Sequence, residues 1–352
     1  MNQIGILSYP IEKLVTLCKE IGQPVFRASQ IFSWLHEKQV QNFEEMSNLP
    51  KAFVAALSQK FVIERLVIAQ KQQSKDGTVK YLFRLSDGNC IETVLMRYSY
   101  GNTVCVSTQV GCRMGCRFCA STQGGRVRNL TAGEIADEIY AVMADSKERI
   151  SHIVLMGIGE PLDNFDNVMD FLAIISSDQG INIGMRNISL STCGIVPQIN
   201  ALAEKHLGLT LSISLHAPED AMRSAMMPIN DVYPVATLLH ACRHYQEATG
   251  RRISFEYALV NGVNDTDDTA TMLAKKIRGM GAHVNLIPIN PVDGSPYSAT
   301  DAANVKRFQT TLINLGVNAT VRRRLGTDIS AACGQLRREA KGADSIEDCS
   351  QN

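Results

Sequence analysis

The stretch Gly111-Cys112-Arg113-Met114-Gly115-Cys116-Arg117-Phe118-Cys119-Ala120 places three cysteines on one short segment, directly after a strand-like run at 104–109. The spacing of the thiols is C-x3-C-x2-C. Three thiolates on one tight loop can ligate three irons of a [4Fe–4S] cluster, because cysteine sulfur holds such clusters. No further cysteine follows at ligand spacing nearby, so one iron would stay open. An open iron can chelate the amino and carboxylate groups of S-adenosylmethionine (SAM) and pass an electron to its sulfonium.

A structural zinc loop is the competing interpretation of these cysteines. Zinc sites usually have four ligands, arranged as paired C-x2-C units or as one C-x2-C with histidines. The C-x3-C-x2-C spacing and the missing fourth ligand fit that pattern poorly. We therefore predict an iron–sulfur cluster with Cys112, Cys116 and Cys119 as its ligands.

From Thr103 onward, strand-like and helix-like segments alternate along the chain. Thr131 and Glu134 have the spacing of a capping box at the start of one helix. Such alternation indicates a parallel sheet, and about six units are too few for an eight-stranded barrel. The fold class is thus predicted to be α/β, a partial (β/α)6 barrel. The predicted strands cover 104–109, 152–156, 187–191, 209–215, 253–260, 284–288 and 319–323.

The N-terminal part of the chain has a different pattern. Residues 1–62 show apolar positions at helical spacing, and two β-type runs at 79–85 and 90–96 flank the turn Asp87-Gly88. This pattern predicts a small accessory domain made of helices and a β-hairpin. The predicted domains are this accessory domain at 1–98, a core at 99–338 that ends in a cysteine-bearing loop, and a flexible tail at 339–352.

The composition excludes several classes of protein. Among 352 residues, 35 lysines and arginines balance 35 aspartates and glutamates, which argues against a strongly basic protein that coats nucleic acid. No apolar run approaches the roughly 18 residues of a membrane span, and the N-terminal segment lacks the features of a signal peptide. We therefore expect a cytoplasmic protein without a membrane span, whose ten cysteines serve metal binding or redox chemistry before structural disulfides.

Polar residues follow several of the predicted strands where each strand ends. In parallel α/β barrels, the carboxyl ends of the strands carry the functional site. Any one of these residues is more often an ordinary loop residue, but together they predict a polar ring on one rim. The ring comprises Gly159 and Glu160 after the second strand, Ser191, the run Ser214-Leu215-His216, and Asn290.

Three further residues have two interpretations each. Cys333 lies among small residues after the basic run 322–324, and nearby arginines favour a reactive thiolate, although a lone cysteine is more often incidental. Cys105, taken by itself, is typical of a strand core. Glu92 lies in an apolar strand, where a carboxylate usually faces solvent, so a role as a base requires it to lie in the site.

These motifs together resemble the RlmN-type dual-specificity RNA adenine-C2 methyltransferases of bacteria, which are radical SAM enzymes. The resemblance extends over essentially the whole chain up to about residue 338. Phe118 occupies the aromatic position of the superfamily signature C-x3-C-x-aromatic-C, and Pro161 stands where the related C8-methylating (Cfr) type usually has alanine. The most specific matching pieces are 91–94, 109–112, 118–120, 128–131, 159–164, 214–218 and 328–336.

The resemblance implies a role for each candidate residue. Cys333 would carry a methyl group, Cys105 would resolve it through a transient disulfide, and Glu92 would accept a proton. The three clustered cysteines would bind one [4Fe–4S] cluster. The implied SAM contacts are Gly159, Glu160, Ser191, Ser214, Leu215, His216 and Asn290.

The resemblance also implies substrates and partners. These are an adenine in the peptidyl-transferase region of 23S rRNA and the adenine 3′ of the anticodon in tRNA, with two SAM consumed per methyl group. An electron donor such as flavodoxin or ferredoxin is implied, and we expect a monomer. Four arginines near the cysteine loop (113, 117, 126 and 128) and the run 322–324 before Cys333 are candidates for phosphate contacts, although a charge cluster of this size is as often a solvated face.

Three other functions compete with this reading, and the first is adenine-C8 methylation of the Cfr type. A radical SAM activase or oxidoreductase would share the cysteines and Gly159-Glu160, but it would not need Cys105, Cys333 and Glu92 together. A zinc-stabilised RNA-binding protein would need no cluster at all.

Overall fold

A computed structural model describes residues 4–289, 297–323, 325–326, 328–329 and 336. The N-terminal part contains three helices, α1 (Ile11–Glu20), α2 (Phe26–His36) and α3 (Lys51–Lys60). Two short strands, β1 (Ile4–Gly5) and β2 (Phe61–Val62), pair in parallel and bring the two ends of this segment together.

One sheet of ten strands organises the described residues. Its antiparallel part begins at the edge with β3 (Val67–Gln73), followed by β4 (Val79–Arg84), β5 (Cys90–Tyr98) and β6 (Gly101–Cys105). From β6 onward the strands run parallel. The parallel strands are β9 (His152–Leu155), β10 (Ile188–Thr192), β11 (Thr210–Ser214), β12 (Ile253–Leu259), β13 (His283–Pro288) and β14 (Asn318–Val321).

Helices alternate with the parallel strands and cover the sheet. They are α4 (Ala132–Ser146), α5 (Phe165–Ser176), α6 (Val196–Glu204), α7 (Asp220–Met226), α8 (Val235–Thr249), α9 (Asp267–Lys276) and α10 (Ala302–Asn314). Short 3-10 turns lie at Ile6–Ser8, Phe43–Glu45, Ala120–Thr122, Pro161–Asn164, Met185–Asn187 and Pro228–Asp231. The capping box at Thr131 is present as predicted, since the Thr131 side chain accepts from the Glu134 amide at the start of α4. The predicted α/β class and partial barrel are confirmed.

The first parallel strand is shorter than its sequence indicates. The predicted strand at 104–109 ends at Cys105, and Gln109–Gly111 forms β7, which pairs with β8 (Arg126–Asn129). The backbone diverges because the amides of Thr108 and Gln109 donate to the Ile158 carbonyl in the loop after β9. The β7–β8 pair therefore brackets the cysteine loop and anchors both of its ends.

The accessory segment and the barrel share one sheet and one hydrophobic core, which runs from Ile6 to Ala319. At the junction, a Cβ on Gly133 of α4 would lie 2.7 Å from the Leu7 Cβ, so the N-terminal segment packs directly on α4. The predicted domain boundary near residue 98 falls inside this continuous sheet and stays a prediction. Among the described helices, none is long and apolar enough to cross a membrane.

Candidate active site

A cavity of about 290 Å³ opens at the carboxyl ends of the parallel strands. The loops after β6, β9, β10 and β11 contribute most of its wall, as expected for this type of barrel. Eight of the candidate residues from the sequence line this cavity. The predicted residues that line it are Cys112, Cys116, Cys119, Gly159, Glu160, Ser191, Ser214 and His216.

The cysteine loop is held to the barrel by backbone hydrogen bonds. The Cys112 amide donates to the Gly125 carbonyl (3.1 Å), and the Arg117 amide donates to the Met226 carbonyl (3.0 Å). At Gly111 the φ angle is +79°, and an added Cβ would lie 2.0 Å from the Gly125 carbonyl oxygen. Only glycine therefore fits where the loop leaves β7.

The three thiols fit an iron–sulfur cluster better than a single zinc ion. Within the residues that the structure describes, no three His, Cys, Asp or Glu side chains are grouped closely enough to hold one metal ion. Cys112, Cys116 and Cys119 nevertheless face the same cavity, as a multi-iron cluster with one thiolate per iron requires. Burial raises the pKa of the Cys112 thiol to about 12 and also raises the pKa of Cys116. Ionising these thiols therefore requires a strongly cationic partner.

The turn after β9 presents a carboxylate to the cavity. At Gly159 the φ angle is +113°, and a Cβ there would lie 2.8 Å from the Gln109 amide nitrogen. The buried carboxylate of Glu160 accepts from the amides of Leu162 (3.0 Å) and Cys193 (2.8 Å). Burial raises the pKa of Glu160, although these hydrogen bonds oppose the rise. The carboxylate is thus fixed in orientation and can accept hydrogen bonds from an ammonium group.

His216 lies at the end of β11 with a left-handed backbone (φ 58°) and a buried ring. Its Nδ1 accepts from the Ala258 amide at 2.9 Å, which leaves Nε2 to carry the hydrogen. Burial, aided by the charge of Arg223, lowers the pKa of His216 to about 3, so the ring is neutral. Phe118 of the cysteine loop packs edge-on against it at 4.8 Å between ring centroids.

Leu215 differs from its neighbours in the polar ring. Its side chain packs in the main core, whereas its amide donates to the Glu256 carbonyl at 3.1 Å. A contact between Leu215 and a ligand in the cavity would therefore be made by its backbone.

Two buried side chains that sequence reasoning missed hold these loops in place. The guanidinium of Arg223 donates to the carbonyls of Leu215 (3.1 Å), Ser214 (3.1 Å) and Cys193 (2.7 Å). The Asn264 amide group donates to the carbonyl of His216 at 2.7 Å. Neither residue belongs to a recognisable motif, because their role depends on carbonyls that the fold brings to them.

Glu256, Cys193 and Arg322 also line the cavity. Arg322 belongs to the basic run singled out from the sequence, whereas Glu256 was missed and Cys193 was given no role. Glu256 lies on β12, and its buried carboxylate accepts from the Asn285 side-chain amide at 2.8 Å. Burial raises the pKa of this carboxyl. In the sequence, the one sign that Glu256 lines the site was that it is a polar residue among the apolar residues of a buried strand.

Cys105 and Glu92 lie on one face of the sheet, here called the inner face, and Cys105 contacts a residue of the cavity wall. Cys105 is buried and packs with Val94 and Met96 of β5, and with Met156, which also lines the cavity. Glu92 is 3% exposed, so the expectation of a solvent-facing carboxylate is wrong. Its carboxylate lies 3.0 Å from the Lys80 ammonium, which was not singled out from the sequence.

Asn290 and Cys333 lie outside the described residues. The segment that leads towards Cys333 is held by the β3–β4 turn: the Gly326 amide donates to Asp76 at 2.8 Å, and the Lys75 amide donates to Asp328 at 3.1 Å. Ser74 also donates to the Asp328 carboxylate. Leu325 packs against the cluster formed by Val94, Met96 and Cys105, so this segment begins beside the inner face of the sheet.

Comparison with known proteins identifies the family. The Radical SAM superfamily model matches residues 106–273, and the model described as ribosomal RNA large subunit methyltransferase N-terminal domain matches residues 4–63. A protein of Clostridium perfringens named "Probable dual-specificity RNA methyltransferase RlmN" is 54% identical over 95% of this chain and 96% of its own length. The chain belongs to the RlmN family of the radical SAM superfamily.

Two further proteins are similar to this chain over most of its length. A protein of the same name from Lachnoclostridium phytofermentans is 51% identical over 96% of this chain and 95% of its own. The crystal structure of a radical SAM methyltransferase from Sphaerobacter thermophilus has a TM-score of 0.88 and 42% identity, covering 94% of this chain and 98% of that one. The resemblance predicted from the motifs is thus confirmed at the level of the family.

The arginines near the cysteine loop are largely paired with carboxylates. Arg113 and Arg126 both pair with Asp163, and Arg128 pairs with Asp87 and Glu134. Three of the four arginines near the loop therefore already have carboxylate partners, and Arg113 and Arg126 share one of them.

Proposed function

We propose that this RlmN-family protein is an RNA methyltransferase that methylates C2 of adenine in 23S rRNA and in tRNA. The observation that carries the proposal is one cavity that joins the three cysteines to Glu160 and His216. Cys105 packs against Met156 of its wall, and Glu92 lies on the same face of the sheet as Cys105. The relatives' names, which include "dual-specificity RNA methyltransferase", support RNA as the substrate. The proposed positions are the peptidyl-transferase region and the adenine 3′ of the anticodon.

The proposed cofactors are one [4Fe–4S] cluster and SAM. Cys112, Cys116 and Cys119 would hold the cluster, and burial of the thiols is consistent with a cationic partner. Glu160, fixed by two backbone amides, would accept the SAM ammonium group. The remaining proposed SAM contacts are Gly159, Ser191, Ser214, Leu215, His216 and Asn290.

Methylation at C2 explains why the chain would need two further cysteines and a base. This carbon is electron-poor and reacts badly with a sulfonium methyl group, so direct polar transfer fails. When bound, the reduced cluster and SAM together supply a 5′-deoxyadenosyl radical, which can take a hydrogen atom from an S-methyl group. We propose that Cys333 carries that methyl group, that Glu92 is the base, and that Cys105 releases the product.

The steps balance in atoms and electrons. Cys333 takes a methyl group from one SAM and loses its proton, leaving S-adenosylhomocysteine. Removal of a hydrogen atom from that S-methyl group would leave a methylene radical that bonds to C2. Loss of one electron and of the C2 proton, which Glu92 would accept, would then give a closed-shell thioether adduct, and the electron lost balances the one that generates the radical. Cys105 then attacks the Cys333 sulfur, the S–CH2 bond breaks, and its electron pair takes up a proton to give CH3. The resulting disulfide is reduced by an external thiol.

The compartment, the electron donor and the roles of the domains are also part of the proposal. We propose a cytoplasmic monomer that receives its electrons from flavodoxin or ferredoxin, with residues 1–98 as an accessory RNA-binding part, 99–338 as the core, and 339–352 as a flexible tail. A reducing compartment would suit the turnover of the disulfide.

Anaerobic reconstitution followed by mass spectrometry of the RNA nucleosides tests the proposal. The protein should acquire iron–sulfur absorbance and produce 2-methyladenosine; formation of 8-methyladenosine would assign the C8 reaction instead. Cys333→Ala should keep the absorbance and lose methylation, whereas Cys105→Ala should become trapped covalently on RNA. Cys242→Ala, which removes a thiol buried in α8, is the matched control and should stay active. Methylation by Cys333→Ala would refute the methyl-carrier mechanism.

A further inference from the structure

A lysine that is completely removed from solvent lies beside Glu92. The Lys80 side chain is 0% exposed, and its Nζ lies 3.0 Å from Glu92 Oε2. Taking an ammonium and a carboxylate out of water is costly, and an apolar pair of similar volume often stabilises a fold equally well. The fold alone therefore gives no reason for a charged pair at this place.

The strand register places this pair in line with Cys105. Lys80 on β4 is directly opposite Val94 on β5, and Val94 is directly opposite Cys105 on β6. Residues opposite one another in antiparallel strands point to the same face, and so do residues two apart in one strand. Lys80, Glu92 and Cys105 thus share the inner face, with Lys80 and Cys105 about 10 Å apart across two strand spacings.

Other ionisable groups also lie on or beside this face among the described residues, and they include Arg322 and Arg323, whose charges act on Tyr98. By the same alternation, Arg84 of β4 and Cys90 of β5 lie on the inner face on one side of Glu92, and Tyr98 lies towards the other end of β5. Cys105 faces it from β6. Glu138, which lies outside this face, instead accepts from Thr93, whose side chain points the opposite way. Lys80 is the cation for which the structure gives a direct ion pair with Glu92.

We infer that Lys80 is a positioning residue that pairs with the Glu92 carboxylate and aims it along the inner face, ready to take the proton from the RNA adduct. The inference rests on the proposed role of Glu92 as the base. Without the ammonium, a carboxylate buried at this depth would favour its neutral form, which cannot accept a proton. Lys80 would therefore control the release step without touching the RNA.

The test measures resolution of the covalent protein–RNA adduct in Lys80→Met, Lys80→Arg and Glu92→Gln, using the reconstituted full-length enzyme. In Lys80→Met, formation of 5′-deoxyadenosine should continue, while release of methylated RNA slows by about 100-fold, the lower range for loss of a general base. The adduct should accumulate on denaturing gels, as it should in Glu92→Gln. Raising the pH should partly restore release in Lys80→Met, because the carboxyl then ionises without help. Lys80→Arg, which keeps the charge, should keep the original pH profile.

These variants distinguish the proposed role of Glu92 as the base from the inferred role of Lys80. If Glu92→Gln resolves the adduct normally, the proposed base is wrong. If Glu92→Gln accumulates the adduct but Lys80→Met does not, or if its pH profile does not move, only the role of Lys80 is overturned. The double variant Lys80→Met/Glu92→Gln removes both charges and avoids an uncompensated one, so it keeps the test open if Lys80→Met fails to fold. It should resolve the adduct no more slowly than Glu92→Gln, and a further loss would overturn the inference.

Discussion

Replacing Arg223 by methionine should loosen the cavity wall while leaving its lining residues unchanged. Arg223 is 0% exposed and donates to the carbonyls of Leu215, Ser214 and Cys193 and to the side chain of Asn230. Methionine preserves the apolar stem but leaves three buried carbonyls without this donor, at about 1–3 kcal/mol for each unsatisfied group. Removing a buried charge offsets part of that cost, so we expect a loss of about 3–5 kcal/mol in the free energy of unfolding.

Thermal and urea unfolding measure this loss. For a chain of 352 residues with about 2.1 cal/mol/K of unfolding entropy per residue, the expected fall in Tm is about 4–7 °C. Binding of SAM, measured by equilibrium dialysis, should weaken as well, because two of the freed carbonyls belong to the loops after β10 and β11. Arg243→Met is the matched control: Arg243 is exposed, and its hydrogen bond to the Lys276 carbonyl is 3.4 Å long. If Arg223→Met is as stable as Arg243→Met, the reasoning is refuted.

Three further predictions concern the site and its surroundings. Gly159→Ala should abolish SAM binding, because a Cβ would meet backbone at 2.8 Å, whereas Gly184→Ala, with open space around it, should bind normally in the same dialysis assay. Cys116→Ala should lose iron–sulfur absorbance after reconstitution, whereas Cys193→Ala, which removes a thiol of the same cavity outside the motif, should retain it; equal loss in both would contradict the ligand assignment. Slight burial raises the pKa of Asp76, but hydrogen bonds from Gly326 and Thr78 outweigh it and lower this pKa from 3.8 to about 2. Its contribution to stability is therefore present above pH 4 and lost as the pH falls to about 2. The Tm difference between the parent protein and Asp76→Asn should follow that course, and a difference that stays constant with pH would contradict it.

Local patterns in the sequence were sufficient for the main architecture. The alternation of strands and helices predicted the parallel part of the sheet, because buried strands and amphipathic helices have different apolar periods. The edge strand β3 was missed, since its residues are almost all exposed and show no alternation. The end of β6 at Cys105 was also missed, because Thr108 and Gln109 bond to a loop some fifty residues ahead.

The candidate site likewise contains residues that the sequence indicated and residues that it did not. Spacing alone identified Cys112, Cys116 and Cys119, because one short loop determines their separation. Glu160 and His216 were found because they end predicted strands, and parallel strands end on one rim. Arg223 and Asn264 carry no such signal, since each acts on carbonyls from other parts of the chain.

The sequence by itself determined the cysteine loop, the order of strands and helices, and the family to which the chain belongs. These features depend on neighbouring residues and on short-range periodicity. Only the tertiary structure decided that Glu92 is buried and that Lys80 lies against it. Alternation assigns a side chain to one of two faces of a strand, but whether water reaches that face depends on segments far away in the chain. For a charged residue, that difference separates a solvated surface group from one that is buried against a counter-ion.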